Sequence, residues 1–231
     1  MPPWPDRAVS LQPRQIVLDF DGVIADGTNR AYIETYTRAV RAVGCQLPDS
    51  AVEAGVLRRW GQSPGRELGA VLGDDHPRLG EALDHYLAQI DQTLQACARP
   101  LPGAVDAVKQ LVASYTLYLV SGMGERPLRQ IVDAFGLQHC FKAIVSTSDT
   151  DLPERQKASG YHLRQLCLED GLVAEETLCV GDAESDLAMA RSCGIDILLV
   201  LTGALDREGA QALGVSAVLD SLAELPDYLQ S

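Results

Sequence analysis

The segment Gln15–Val23 reads Gln-Ile-Val-Leu-Asp-Phe-Asp-Gly-Val, and the rest of the chain can be interpreted outward from it. The apolar run Ile16–Leu18 includes two β-branched residues and predicts a short buried strand. Asp19 and Asp21 follow where that run ends, directly before Gly22. A strand of this kind ends either in a turn or in a functional site.

The two aspartates allow both interpretations. Asp-Gly is a common turn pair, so the structural interpretation is a simple turn. Asp19 and Asp21 are two residues apart, however, and in an extended chain their side chains project from the same face. Two carboxylates this close repel each other, and one pKa rises unless they share a cation. The pair therefore indicates either Mg²⁺ binding or one nucleophile beside one proton carrier.

The composition is that of a folded globular protein with an excess of acidic residues. The chain has 231 residues, 46% of them hydrophobic and 22% charged. This length accommodates one large domain or a core with a smaller insert. The net charge of -13 argues against binding to nucleic acid or to an anionic membrane surface. An anionic substrate would need a local positive site.

The cysteines and the N-terminus predict where the protein works. Six cysteines lie far apart with no Cys-x-x-Cys pair, which is typical of reduced, buried thiols. The proline-rich residues 1–13 lack the apolar core of a signal peptide, and no segment reaches the length of a membrane span. We therefore expect a cytoplasmic protein.

Periodicity divides the chain into a core and an insert. Residues 28–99 show only helical patterns, strongest over 77–97, and predict a small all-helical insert whose first helix is capped by Asn29. Residues 1–27 and 100–231 form the predicted core. After residue 100, helices and strands alternate, which implies a parallel sheet with helices on both faces, an α/β fold. The predicted elements are helices Ala104–Ala113, Pro127–Phe135, Gly160–Glu169, Ser185–Cys193 and Arg207–Leu213, and strands Thr116–Val120, Lys142–Ser146, Thr177–Val180, Asp196–Leu201 and Ala217–Leu219.

Polar residues follow several of these strands, at the edge where such sheets bind ligands. Ser121 and Gly122 offer a hydroxyl and backbone N–H groups suited to phosphate oxygens, although a Ser-Gly turn is an ordinary structural feature. Asp182 and Asp186 add acids after another strand, where helix N-capping is the structural alternative. Lys157 precedes the predicted helix at residue 160, where a cation is unfavourable unless an anion lies nearby. A solvated surface lysine is its simpler explanation.

Taken together, these residues resemble the haloacid dehalogenase superfamily of phosphotransferases. Residues 19–23 resemble its first motif, Val120–Gly122 its second, Lys157 its third, and residues 181–186 its fourth. The four occur in order over nearly the whole chain. The resemblance implies a Rossmann-like core, with residues 28–99 as the helical cap of the phosphoglycolate phosphatase and β-phosphoglucomutase branch.

The resemblance also implies a role for each motif residue. Asp19 would be the nucleophile that forms an aspartyl-phosphate, and Asp21 would protonate the leaving oxygen and then activate water. Ser121 and Gly122 would bind the transferring phosphoryl group, with Lys157 offsetting its charge. The implied ligands of Mg²⁺ are Asp19, the backbone carbonyl of Asp21, Asp182 and, from the second shell or through water, Asp186.

Substrate recognition is assigned to the insert. Arg66 ends a glycine-rich break that resembles the cap loop facing the active site, and it is predicted to bind a second anionic group of the substrate. An exposed arginine opening a helix is the alternative. A dehalogenase is disfavoured because Asp21 is present, and a phosphonoacetaldehyde hydrolase because residues 28–99 contain no lysine for a Schiff base.

The sequence therefore predicts a Mg²⁺-dependent phosphatase acting on a small phosphorylated metabolite such as phosphoglycolate or a sugar phosphate. Two alternatives remain. One is a sugar phosphomutase, which would return the phosphoryl group to sugar instead of water. The other is a catalytically silent protein that binds a phosphorylated ligand or a partner protein.

Overall fold

A computed structural model of the chain describes residues 13–147, 153–215 and 217–230. Strands and helices alternate through most of it. The strands in the described residues are β1 (Gln15–Leu18), β2 (Ala25–Asp26), β3 (Arg99–Pro100), β4 (Thr116–Ser121), β5 (Ala143–Ser146), β6 (Thr177–Gly181), β7 (Asp196–Val200) and β8 (Ala217–Leu219).

The helices vary from a single turn to five turns. In chain order, those in the described residues are α1 (Thr28–Ala42), α2 (Asp49–Leu57), α3 (Pro64–Leu72), α4 (Leu79–Cys97), α5 (Ala104–Leu111), α6 (Glu125–Ala134), α7 (Tyr161–Glu169), α8 (Glu184–Ser192), α9 (Arg207–Ala212) and α10 (Leu225–Tyr228). None of these helices is long and apolar enough to span a membrane.

Six parallel strands form the central sheet, in the order β5-β4-β1-β6-β7-β8. β1 lies in the middle, with Leu18 opposite Leu119 on one side and Val180 on the other. Ile16 and Leu18 pack into the apolar core on one face of the sheet, while Val17 packs into a second core on the other face. Burial on both faces explains why β1 reads as a continuous apolar run. The α/β fold predicted from the alternation is confirmed.

Helices α1 to α4 occupy the chain between β2 and β3, and of the segment 28–99 predicted to be helical only Arg99 lies in a strand. β2 and β3 pair antiparallel, with Ala25 opposite Pro100. Just beyond the ladder, the N–H of Leu101 donates to the carbonyl of Ile24 at 2.9 Å. The chain therefore leaves the sheet region and returns to it at adjacent positions.

The structure corrects several local predictions. The N-cap of α1 is Gly27 rather than Asn29. Gly27 adopts φ 83°, a left-handed conformation that glycine permits at little cost, and its N–H donates to Oδ1 of Asp26. β2, β3 and α10 were not predicted because each is too short to show a period. Of the proline-rich residues 1–13, residues 1–12 lie outside the described residues.

Candidate active site

The polar residues predicted from the strand ends come together at one edge of the sheet. Asp19 follows β1 directly, Ser121 ends β4, and Asp182 follows β6. Because β1 lies between β4 and β6 and all three run parallel, their carboxyl ends meet. All three of these side chains are buried.

Lys157 joins this group through two ion pairs. It begins a short 3-10 helix, Lys157–Ser159, and its Nζ lies 2.6 Å from Oδ1 of Asp19 and 2.7 Å from Oδ1 of Asp186. Burial alone would lower the pKa of Lys157, but the charges of Asp186 and Asp19 raise it above the ordinary lysine value. Lys157 is therefore a charged, positioned cation, and the surface-lysine alternative is wrong.

Asp186 fixes the loop after β6. Its Oδ2 accepts hydrogen bonds from the backbone N–H groups of Asp182, at 3.2 Å, and Ala183, at 3.1 Å. Its Oδ1 faces Lys157. Both oxygens of this side chain thus already have partners among protein groups, which suits a supporting position beside Asp182.

The Asp182 carboxylate is seated between two glycines. Its Oδ2 accepts the backbone N–H of Ala204 at 2.7 Å. A β-carbon on Gly22 would lie 2.5 Å from this oxygen, and a β-carbon on Gly203 would overlap the carboxylate. Glycine at both positions therefore gives the carboxylate the space it occupies.

Asp19, Asp182 and Asp186 form a buried acidic cluster, with one carboxylate oxygen from each residue lying within 4.8 Å of the others. Burial raises the pKa of Asp19 well above its usual value, and the charges of Asp186 and Asp182 add to the rise while Lys157 opposes it. Burial likewise raises the pKa of Asp182, to about 6. A bound cation would relieve this repulsion, and an all-oxygen donor set suits a hard divalent ion.

Asp21 stands apart from this cluster and faces a different set of groups. Its Oδ2 accepts a hydrogen bond from the Ser121 hydroxyl at 3.2 Å. Burial raises the pKa of Asp21, whereas the nearby hydroxyls of Thr28 and Ser121 and the charge of Lys157 lower it. Its Oδ1 is buried with no hydrogen-bond partner, which leaves one carboxyl oxygen available to a bound molecule.

Ser121 and Gly122 differ in how accessible they are to a ligand in the cleft. The Ser121 hydroxyl accepts the backbone N–H of Met123 at 3.0 Å while it donates to Asp21, so its hydrogen-bonding capacity is directed at the protein. Gly122 lines the open cleft, and a β-carbon there would meet no atom within 4 Å. The turn after β4 is therefore open to a ligand at Gly122.

A cleft of about 1070 Å³ lies between this sheet edge and the helices α1, α3 and α4. Asp19, Asp21 and Lys157 line the side of the cleft that the sheet edge forms. Arg66 is not among its lining residues. It lies instead at a separate hollow of about 410 Å³ between α3 and α4.

Residues that pattern analysis did not single out also face the cleft. Glu67, next to Arg66 in the chain, is buried and lines the cleft together with a group of aromatic side chains. Helical spacing is typical of simple core packing for an aromatic such as Tyr86, and only its position in the structure shows that it also lines the cleft. Thr28 is likewise unmarked in the sequence, because its contact with Asp21 depends on how α1 begins.

Comparison with known proteins agrees with this geometry. The model of the haloacid dehalogenase-like hydrolase family matches residues 13–194. A plasmid phosphoglycolate phosphatase of Cupriavidus necator is 40% identical over 224 residues, covering 96% of this chain and 95% of that protein. A phosphoglycolate phosphatase of Rhodospirillum rubrum is 27% identical, covering 94% of this chain and 91% of that protein.

The fold has close solved counterparts. A haloacid dehalogenase-like family hydrolase from Streptococcus pneumoniae superposes with a TM-score of 0.77 at 20% identity, over 94% of this chain and 99% of that chain. Fold and site together define a phosphatase-type hydrolase with an α/β core. The chain belongs to the haloacid dehalogenase-like hydrolase family.

Proposed function

We propose that the protein is a Mg²⁺-dependent phosphatase that hydrolyses a small phosphorylated metabolite through an aspartyl-phosphate on Asp19. The observation that carries the proposal is the buried Asp19 carboxylate, held by Lys157 at the sheet edge beside Asp21. A binding protein would need a cation for the phosphate. It would not need a second carboxyl group with a free, buried oxygen.

Mg²⁺ would be held by Asp19, Asp182 and the backbone carbonyl of Asp21, with Asp186 supporting the loop from behind. When bound, it supplies charge neutralisation for the phosphoryl oxygens and for the clustered carboxylates. The donor set fits, because the three acidic side chains converge and Lys157 alone balances only part of their charge.

The first step transfers the phosphoryl group to the protein. A carboxylate oxygen of Asp19 attacks phosphorus, the bond from phosphorus to the leaving oxygen breaks, and protonated Asp21 gives its proton to that oxygen. Burial, which raises the pKa of Asp21, favours the protonated form that this step requires. Lys157 and the N–H of Gly122 would offset the charge on the phosphoryl oxygens.

The second step releases phosphate. Asp21, now a carboxylate, takes a proton from water as the water oxygen attacks phosphorus, and the bond from phosphorus to Asp19 breaks. The Ser121 hydroxyl holds Asp21 in place in both steps. Each step moves one proton through the same carboxyl group, and the protein returns to its starting state.

We propose residues 28–99 as the cap and residues 1–27 with 100–231 as the catalytic core. Support comes from the β2–β3 ladder, which joins the two ends of the helical segment, and from the cleft between that segment and the sheet edge. A cap in this position would limit access of bulk water and admit small substrates. The relatives named as phosphoglycolate phosphatases support phosphoglycolate as a candidate, beside sugar phosphates.

Phosphate release by the purified chain tests the proposal. Release from an aryl phosphate should depend on added Mg²⁺ and should be lost in Asp19→Asn. Glu53→Gln, a change of the same kind at an exposed position on α2, should behave as wild type. If Asp19→Asn retains its turnover, Asp19 is not the nucleophile and the proposed mechanism fails.

A further inference from the structure

The cap side of the cleft is aromatic and acidic. Its aromatic residues come from three different parts of the helical segment, and its single buried carboxyl group is that of Glu67. Tyr36 and Tyr86 stack with ring centroids 4.3 Å apart, and Tyr32 meets Trp60 edge to face at 5.8 Å. Tyr36 and Tyr86 are almost fully buried, so Tyr32 and Trp60 supply the ring surface of this wall that a substrate can contact.

The helical segment contributes no cationic side chain to the described part of the cleft lining. The cationic side chains among the described residues of the cleft lining are Arg126, Arg129 and Lys157, and none belongs to α1–α4. Arg126 is paired with Asp91, Arg129 with Glu125, and Lys157 with the catalytic aspartates. Arg66, the sequence-based candidate for this task, lies at the other hollow.

Glu67 is a fixed acceptor in this wall. Its Oε2 accepts the Tyr36 hydroxyl and its Oε1 accepts the backbone N–H of Gly61 at 2.8 Å, which leaves further lone pairs on the carboxylate for a substrate hydroxyl. Gly61 has φ 82°, and the turn that it makes aims its N–H at the carboxyl group. Burial raises the pKa of Glu67 to about 7, so its carboxyl group exists in both charge states near neutral pH. A substrate carboxylate here would meet Glu67 with no cation to offset the repulsion.

Apart from Asp91, which is paired with Arg126, the remaining polar side chains of the wall are uncharged and can both donate and accept. Asn29 and Gln62 line the cleft, and their amides are suited to hydroxyl groups. The cleft volume of about 1070 Å³ is large enough for a ring-sized group above the phosphate, whereas a two-carbon acid would leave most of it empty. Asp91 and Arg126 already join α4 to α6 across the cleft, so this volume belongs to a state with the two sides in contact.

Resting on the proposed function, we infer that the leaving group is neutral, bears hydroxyl groups and has the size of a sugar ring, and that Glu67 accepts one of its hydroxyls. Such a leaving group could be a free sugar or the ribose of a nucleoside. In both cases, aromatic faces cover the carbon side of the ring, while Glu67 and Gln62 bind its edge. The helical segment 28–99, which faces the sheet edge across the cleft, then determines substrate specificity.

The test compares kcat/KM for five kinds of phosphate ester with Mg²⁺ present: hexose and pentose phosphates, nucleoside 5'-monophosphates, phosphoglycolate, phosphoethanolamine and p-nitrophenyl phosphate. A sugar phosphate or a nucleotide should exceed phosphoglycolate at least about tenfold, since one missing hydrogen bond to a buried charged group alone costs about that much. The better of the two identifies a free sugar or a nucleoside as the source. If phosphoglycolate or phosphoethanolamine is hydrolysed best, the inference is overturned while the phosphatase proposal stands.

Glu67→Gln separates a specificity role from a structural one. It should lower kcat/KM for the best hydroxylated substrate by about 10- to 100-fold and for p-nitrophenyl phosphate by less than about threefold. Glu53→Gln is the matched control and should change neither value. An equal loss on both substrates would assign Glu67 to folding alone and overturn its role in specificity.

A second variant and an inactive wild type each give a clear outcome. If Glu67→Gln does not fold, Gln62→Ala in the adjacent loop should still impair sugar phosphates more than p-nitrophenyl phosphate, and an equal effect on both would refute the assignment. If the wild-type chain releases no phosphate from any ester, including p-nitrophenyl phosphate, the proposed function itself fails and the inference fails with it.

Discussion

The ammonium group of Lys157 lies 2.6 Å from Oδ1 of Asp19, and both side chains are almost fully removed from solvent. This contact joins the end of β1 to a short helix that begins more than a hundred residues later in the chain. In a buried acidic cluster such a cation stabilises the fold and opposes the rise in the pKa of Asp19.

Replacement of Lys157 by Met should therefore affect activity and stability together. Phosphatase activity should fall by at least about 100-fold, because a preorganised charge beside the phosphoryl group is lost. The free energy of unfolding without Mg²⁺ should fall by about 3–5 kcal/mol, because the partner carboxylates are left unpaired. Steady-state kinetics and urea denaturation measure the two effects. Lys109→Met, at an exposed position, is the control, and equal effects of the two changes would contradict the role of the ion pairs.

Loss of the Ser121 hydroxyl should affect turnover and leave the Mg²⁺ requirement largely unchanged. Ser121→Ala removes the 3.2 Å hydrogen bond to Asp21 and leaves the acidic cluster unchanged. We expect kcat to fall by about 10- to 100-fold, the value of a hydrogen bond to a charged group, with little change in the Mg²⁺ requirement. Ser114→Ala, at an exposed position, should be neutral. A change in the Mg²⁺ requirement without a change in kcat would show that Ser121 serves the metal site instead.

Replacement of Gly203 tests whether the position of the Asp182 carboxylate matters for Mg²⁺ binding. A β-carbon at this position overlaps that carboxylate, so Gly203→Ala should displace it and weaken Mg²⁺ binding. We expect the Mg²⁺ concentration at half-maximal activity to rise at least about tenfold, the range seen when residues that orient metal ligands are changed. Gly80→Ala is the control, because a β-carbon there would meet no atom within 4 Å. An unchanged Mg²⁺ titration would remove Asp182 from the proposed ligand set.

Glu67 predicts a pH dependence of stability. Burial raises its pKa from 4.5 to about 7, so the folded chain keeps a proton that the unfolded chain loses in this interval. The contribution of the Glu67 carboxyl group to the free energy of unfolding is fully present below pH 4.5 and is lost as the pH rises through 7. The neighbouring hydroxyls of Tyr32, Tyr36 and Tyr86 have pKa values raised above the usual 10.0 and stay neutral throughout.

Glu67→Gln removes this titration. The difference in unfolding free energy between the variant and wild type should therefore shift in favour of the variant by roughly 3 kcal/mol from about pH 4.5 to about pH 7.5. Urea denaturation of both proteins at the two pH values gives this difference, and the other buried carboxyl groups cancel from it. A difference that is constant with pH would contradict the raised pKa.

The sequence was most informative where one rule governed many residues. Alternation of helices and strands implies a parallel sheet, and parallel strands bring their carboxyl ends together, so Asp19, Ser121 and Asp182 could be placed at one edge before any coordinates. Lys157 could be placed there only through the family resemblance, because its position before a helix indicates that an anion lies nearby and not which anion that is.

The lining residues of the helical segment 28–99 were much less predictable, because what they contact depends on how each helix is oriented. Helical spacing groups Tyr36 and Tyr86 on an inner face, but it cannot show that this face also borders the catalytic edge. Arg66 and Glu67 are adjacent in α3, so their side chains point in directions about 100° apart along the helix, and only one of them lines the cleft. Which of these two adjacent residues faces the cleft therefore decides whether this wall carries a basic or an acidic side chain.

The β2–β3 ladder places the two ends of the helical segment side by side, with Ala25 opposite Pro100. A segment attached at two neighbouring points can be exchanged for another of different length without moving the strand ends that carry Asp19 and Asp182. Under the proposed division, the strand ends carry the chemistry and the helical segment determines the choice of substrate, so a foreign helical segment spliced between Thr28 and Arg99 should retain the same phosphate-cleaving edge.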